Sequence, residues 1–149
     1  MAAPAQAGKG ADSRTLTVIG SDAVLGLGDV GTAGNSPGDV RTLSLALRST
    51  KGEPVGRAEI VQTLTRQADG VGTAVKHVVL NLPKGSVIGM GTTQFTDFLS
   101  PTARPDDRTE RIAIVGGTGA FVDANGTMDI VVLPEFTSRW TLRYAVPSR

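Results

Sequence analysis

Val115-Gly116-Gly117-Thr118-Gly119-Ala120-Phe121 places a glycine cluster directly after the apolar residues Ile112 to Ile114. A glycine-rich turn behind an apolar strand can bring backbone N–H groups against a phosphate. A dinucleotide fingerprint also needs a third glycine, a helix facing the pyrophosphate and further βαβ units. This chain has Val122 at the third glycine position, followed by the hairpin signal Asn125-Gly126 and the strand formers Met128, Ile130, Val131, Val132 and Leu133. The cluster therefore reads as a bend from one strand into the next.

Other residues invite chemistry and have plainer readings. His77, the only histidine, stands in Ala74-Val75-Lys76-His77-Val78-Val79 in phase with Val79 and Asn81. It has no serine and aspartate near it in sequence to form a catalytic set, so a structural or surface role is the reading retained. Asp97, Asp106 and Asp107 suggest a cation site, but aspartates in a proline-containing loop are usually solvated charge. Asn125-Gly126-Thr127 matches a glycosylation acceptor, and the hairpin turn explains it without a sugar. The absence of cysteine excludes disulfides, thiol nucleophiles and cysteine-ligated zinc.

The elements that must position these residues are short strands. Thr15 to Ile19 alternates, and Gly20 to Gly38 reads as a long glycine-rich connection of the kind that forms lids or pocket walls. In Asp39 to Arg48, Arg41, Leu43, Leu45 and Leu47 share one face, and Val40, Thr42, Ser44, Ala46 and Arg48 the other. Strands follow over Val55 to Thr65, Val71 to Leu82 and Ser86 to Phe95, the last loosened by Gly89 and Gly91. Thr96 to Glu110 reads as a polar surface loop. After the two strands around the glycine cluster, Thr137 to Val146 sets Ser138, Trp140, Leu142 and Tyr144 on one face. About eight strands with no amphipathic helix predict an all-β fold, an eight-stranded antiparallel β-barrel, because closure removes exposed edges.

Composition bounds the partners. The 149 residues fit one domain, expected over 14–149 behind a disordered leader at 1–13. With 15 basic and 14 acidic residues the net charge of +1 gives no field that argues for nucleic acid or an anionic membrane. One Trp, one Tyr and four Phe also supply few stacking platforms for bases. Ala5-Gln6-Ala7 resembles the small-residue end of a secretory signal, which sets secretion beside an arbitrary flexible leader.

Three segments together resemble the allene oxide cyclase and dirigent superfamily. They are Ser36-Pro37-Gly38-Asp39 leading through a strand to Gly52-Glu53-Pro54-Val55-Gly56-Arg57-Ala58-Glu59, then Lys84-Gly85-Ser86-Val87-Ile88-Gly89-Met90-Gly91, and finally Ile114 to Phe121 with Ala124-Asn125-Gly126. The last is the most specific, and the three span about Gly38 to Val132. The resemblance implies an eight-stranded barrel with a mostly apolar cavity, commonly a trimer, that needs no cofactor and no metal. Such a barrel holds a hydrophobic small molecule and steers the stereochemistry of its cyclisation or coupling. The chain departs from the pattern: its first strand has no carboxylate, and Val122 and Asn125 stand where arginines are usual.

Carried onto this chain, the family register points Arg41, Leu43 and Leu45 inward, with Ala58, Ile60, Gln62 and Leu64 on the next strand. Asp22 falls near a dirigent aspartate at the end of the first strand. Arg41, Gln62 and Asp22 are thus the candidate catalytic residues, and Leu43, Leu45, Ile60, Leu64 and Trp140 the candidate cavity wall. An inward arginine needs a carboxylate or a carbonyl or anionic ligand; at the mouth it snorkels to water instead. Gln62 either orients a ligand oxygen or bonds neighbouring backbone. Trp140 lines a cavity or packs outward.

The expectation is a small-molecule barrel that guides a stereoselective cyclisation, cycloaddition or coupling of an apolar, polyketide-like or phenolic substrate. The alternatives are a secreted ligand-binding or structural barrel without turnover, and a carbohydrate-binding surface protein, which the scarcity of aromatics disfavours.

Overall fold

A computed structural model describes residues 11–147. Its eight strands close into one antiparallel barrel in which each strand pairs with its sequence neighbours and the last with the first. They are β1 (Ala11–Gly28), β2 (Val40–Arg48), β3 (Pro54–Ala68), β4 (Val71–Leu82), β5 (Gly85–Phe95), β6 (Thr109–Gly117), β7 (Asn125–Val132) and β8 (Ser138–Pro147). Apart from two single 3-10 turns at Gly119–Phe121 and Pro134–Phe136, the described residues form no helix. Closure gives every strand a partner on each side, although the β5–β6 ladder is short and runs only from Val87 to Met90.

Inward residues alternate with outward ones. The core joins Val18, Leu45, Ile60, Val78, Leu80, Ile112, Met128, Trp140 and Leu142, all 5% exposed or less. A satellite cluster of Leu64, Ala74, Phe95 and Phe98 closes one end.

Several boundaries differ from the sequence reading. β1 begins at Ala11, so 11–13 are strand paired with Ala145 to Pro147, while the rest of the expected leader lies outside the described residues. β1 also runs on to Gly28 through a bulge between Ser21 and Val24, where Asp22 takes a φ of 54°. The bulge lets one strand pair β8 along its first half and β2 along its second. The glycine-rich connection is correspondingly shorter than Gly20 to Gly38. Asn125-Gly126 is not a hairpin turn: both residues pair with β8. The 118–124 segment makes the turn instead.

That turn interlocks with the β4–β5 hairpin. Thr118 N–H donates to the Ser86 carbonyl at 2.9 Å, Ala120 N–H to the Lys84 carbonyl at 2.9 Å, and Ser86 N–H to Thr118 Oγ1 at 3.0 Å. Gly119, at a φ of 59°, and Gly85, at 146°, sit where the two backbones touch. A β-carbon on Gly119 would strike the Lys84 carbonyl, and one on Gly85 the Thr118 carbonyl. Two of the sequence segments that carried the family resemblance are therefore two halves of one backbone joint.

Candidate functional site

At the opposite end of the barrel, three inward side chains stand side by side. Arg41 on β2 pairs with Gln62 on β3, and Gln62 with Lys76 on β4. They are 3%, 1% and 4% exposed. With Leu43, Leu45, Ile60, Phe95, Ile130, Ser138 and Trp140 they wall a chamber of about 80 Å³. A depression of about 380 Å³ at the mouth shares Ala23, Arg41, Leu43 and Phe136 with the chamber.

Among the described residues Arg41 has no carboxylate partner. Its guanidinium donates to the carbonyls of Phe98 and Ser100 at 3.0 and 2.8 Å through one nitrogen, and to Ala103 at 2.8 Å through another. It also lies 5.5 Å from the centre of the Phe95 ring. Burial lowers its pKa from the usual arginine value, and the converging carbonyl dipoles hold the charge. The 96–108 connection is therefore not a free surface loop. Phe98 is fully buried edge-on to Phe95, with ring centres 5.3 Å apart, a burial that contributes about 2 kcal/mol. Arg41 and Phe98 together fasten that connection across the barrel end.

Lys76 Nζ donates to Glu110 Oε2 at 2.6 Å, and Thr93 Oγ1 donates to Glu110 Oε1 at 2.7 Å. This buried set was missed in sequence because both faces of β4 are rich in apolar residues and Glu110 was assigned to a loop. The signal was present: Lys76 shares its phase with Ala74, Val78 and Leu80, and Glu110 with Ile112 and Ile114.

Gln62 differs from its neighbours. Its Oε1 is buried and accepts no hydrogen bond, a deficit of about 1–3 kcal/mol. The reading in which Gln62 bonds neighbouring backbone does not hold for that oxygen. Trp140 faces inward, its indole N–H donating to Ser138 Oγ at 2.8 Å.

The remaining candidates fall elsewhere. Leu64 is buried with Ala74, Phe95 and Phe98 and lies apart from the chamber wall. Asp22 is exposed at the bulge, accepts from Ser21 Oγ at 3.1 Å, and lines the mouth depression with Glu135. His77 is exposed on the outer wall, in register between Val61 and Met90. Asp97 accepts from the Asn35 amide and Asp106 from Thr96 Oγ1. Among the described residues no three acidic, histidine or cysteine side chains gather as a metal site would require.

No family model and no characterised sequence matches the chain. Solved structures do. A pyocyanin demethylase superposes with a TM-score of 0.67 at 19% identity, over 89% of this chain and 99% of the other. The Diels-Alderase of Streptomyces koyangensis gives 0.66 at 16% identity, over 95% of this chain and 66% of its own. A pterocarpan synthase dirigent protein gives 0.63 at 15%, over 93% and 97%. The fold is the allene oxide cyclase and dirigent barrel. The glycine-rich segment that carried the resemblance lies at the end of the barrel away from the chamber, where it joins the β4–β5 hairpin.

Proposed function

We propose that the protein binds a hydrophobic small molecule in its barrel and, without a cofactor, guides a stereoselective cyclisation, cycloaddition or coupling. One observation carries this reading: an apolar chamber whose walls bear a row of buried polar groups, one of them unsatisfied. A solid structural barrel gains nothing from a buried orphan carboxamide, whereas a binding barrel uses one to orient its guest.

The chemistry follows from confinement. Leu45, Ile60 and Trp140 hold one end of the guest, and Leu25, Leu43 and Phe136 at the mouth restrict the attached chain to folded conformers in which reacting carbons approach. N–H donors of Lys76 and Gln62 polarise a carbonyl conjugated with the reacting bond, as fixed dipoles in a dry site stabilise developing charge. Arg41 acts through the 96–108 connection, whose carbonyls it holds, and Asp22 acts at the rim. Titratable roles are not required, since a cycloaddition rearranges bonds without net proton transfer. The fold is shared with Diels-Alderases and dirigent proteins, which supports the reading.

The test is to incubate prochiral polyene substrates bearing an activated alkene with wild-type protein and with Ile60→Trp, which fills the chamber. Enantiomeric excess and acceleration with wild type, both lost in the variant, are expected. Racemic product at the buffer rate across such substrates, with no ligand quenching Trp140, would overturn the proposal.

A further inference from the structure

We infer that the chamber selects a head group in which an N–H or O–H donor adjoins a carbonyl oxygen, the donor serving Gln62 and the carbonyl Lys76. This rests on the chamber being a ligand site and specifies what it takes.

The argument is an accounting of donors. Gln62 Oε1 is buried and unpartnered although cations stand on both sides of it in register. Those cations are engaged elsewhere: Arg41 with the carbonyls of Phe98, Ser100 and Ala103, and Lys76 with Glu110. The hydroxyl of Thr93 is given to Glu110, and the Trp140 N–H to Ser138. No donor among the described residues reaches Gln62 Oε1 in this arrangement, and a guest that carries one completes it.

The complementary half comes from Lys76. An ammonium has three N–H bonds. Glu110 takes one, so a ligand oxygen beside Gln62 finds a charged donor one strand away. The carboxylates are turned aside: Glu110 is held by Lys76 and Thr93, and both oxygens of buried Asp39 receive the backbone N–H groups of Val30 and Ser36. A donor-bearing head with a carbonyl beside it, such as a cis lactam or the enol of a cyclic 1,3-dicarbonyl, satisfies both groups at once. At about 80 Å³, roughly half the 150 Å³ apolar cavity that holds benzene, the chamber admits the donor-and-carbonyl edge of such a head, with the rest of the ring and its tail in the mouth depression.

The sole tryptophan lines the chamber and reports occupancy by its fluorescence. The probes are δ-decanolactam and δ-decalactone, alike in ring and tail but differing in that only the lactam carries a donor. The lactam should bind wild type about tenfold more tightly or better, the worth of one hydrogen bond to an otherwise orphaned acceptor. In Gln62→Leu and Gln62→Met the lactam-to-lactone ratio should fall to about one, whatever affinity both probes lose in common with the carboxamide N–H. A merely structural Gln62 would leave the lactam-to-lactone ratio unmoved. Equal binding of both probes to wild type, or a lactam preference that survives in both variants, overturns this assignment but leaves the chamber as a binding site. If neither probe quenches Trp140 at any attainable concentration, the assignment falls together with the chamber.

Discussion

Nζ of Lys76 stands 2.6 Å from Oε2 of Glu110, with the two side chains 5% and 4% exposed. Two desolvated charges inside a small barrel hold each other in place, and neither tolerates losing its partner. Lys76→Met or Glu110→Leu alone should cost about 3–5 kcal/mol in urea denaturation, because each leaves a buried charge uncompensated. The double variant should recover most of that loss. Additive losses in the double-mutant cycle would show that the pair does not act as a unit.

Arg41 is the fastening of the 96–108 connection. Arg41→Met keeps the apolar stem and removes the donors to Phe98, Ser100 and Ala103. Limited trypsin digestion should then cut after Arg108, since Pro105 protects the bond after Arg104, at least about tenfold faster than in wild type, as the open state becomes more populated. Unchanged cleavage would mean that Phe98 alone secures the segment.

Asp129 links β6, β7 and β8 on the outer wall. Arg111 Nε donates to its Oδ1 at 2.7 Å, and Arg143 donates to Oδ2 at 2.9 Å. Hydrogen bonding to Arg111 chiefly, with the charges of Arg111 and Arg143, holds its carboxyl below the ordinary value of 3.8 against the opposing effect of burial. A depressed folded pKa gives stability that is present above the unfolded value and lost as pH falls through the folded one. Asp129→Asn should therefore lower Tm near neutral pH, and its gap from wild type should narrow once pH falls below 3.8. Parallel thermal melts across that range measure it; a gap independent of pH refutes it.

The backbone joint beneath the glycine-rich turn sets a graded series. Gly119→Ala and Gly85→Ala combine a positive φ with a collision against a carbonyl, and should each cost about 2 kcal/mol or more. Gly116→Ala shares the positive φ but meets nothing within 4 Å, and should cost less. Equal losses at the three positions, read by chemical denaturation, would leave the joint without special weight.

The barrel was legible in the sequence where the two faces of a strand differ in character. β2 sets Leu43, Leu45 and Leu47 against Ser44 and Arg48, and β8 sets Trp140 and Leu142 against Arg139 and Arg143, so alternation separated the two faces, while the inward face of β2 came from the family register and that of Trp140 stayed open. β4 carries Val75 and Val79 outward and Val78 and Leu80 inward, and there alternation is silent. Lys76 was lost in that symmetry. Glu110 was lost because a polar run preceding a strand hides where the strand begins. β1 was cut short for a related reason: its bulge at Asp22 and its glycines at 26 and 28 have loop composition, yet pairing with β2 keeps them extended. Composition describes what a segment tolerates, and long-range pairing decides what it does. The orphaned oxygen of Gln62 lay beyond sequence altogether, since it arises from where four other donors happen to point.

The rim stitched by Lys84-Gly85-Ser86 and Thr118-Gly119-Ala120 lies at the barrel end away from Arg41 and the chamber mouth. Mutational drift at the mouth consequently leaves the fold's closure untouched, and an altered closure leaves the guest's surroundings intact. If the chamber is a binding site, a scaffold partitioned in this way can change what it holds through inward residues outside the Lys76–Glu110 pair and the Arg41 anchor, one substitution at a time.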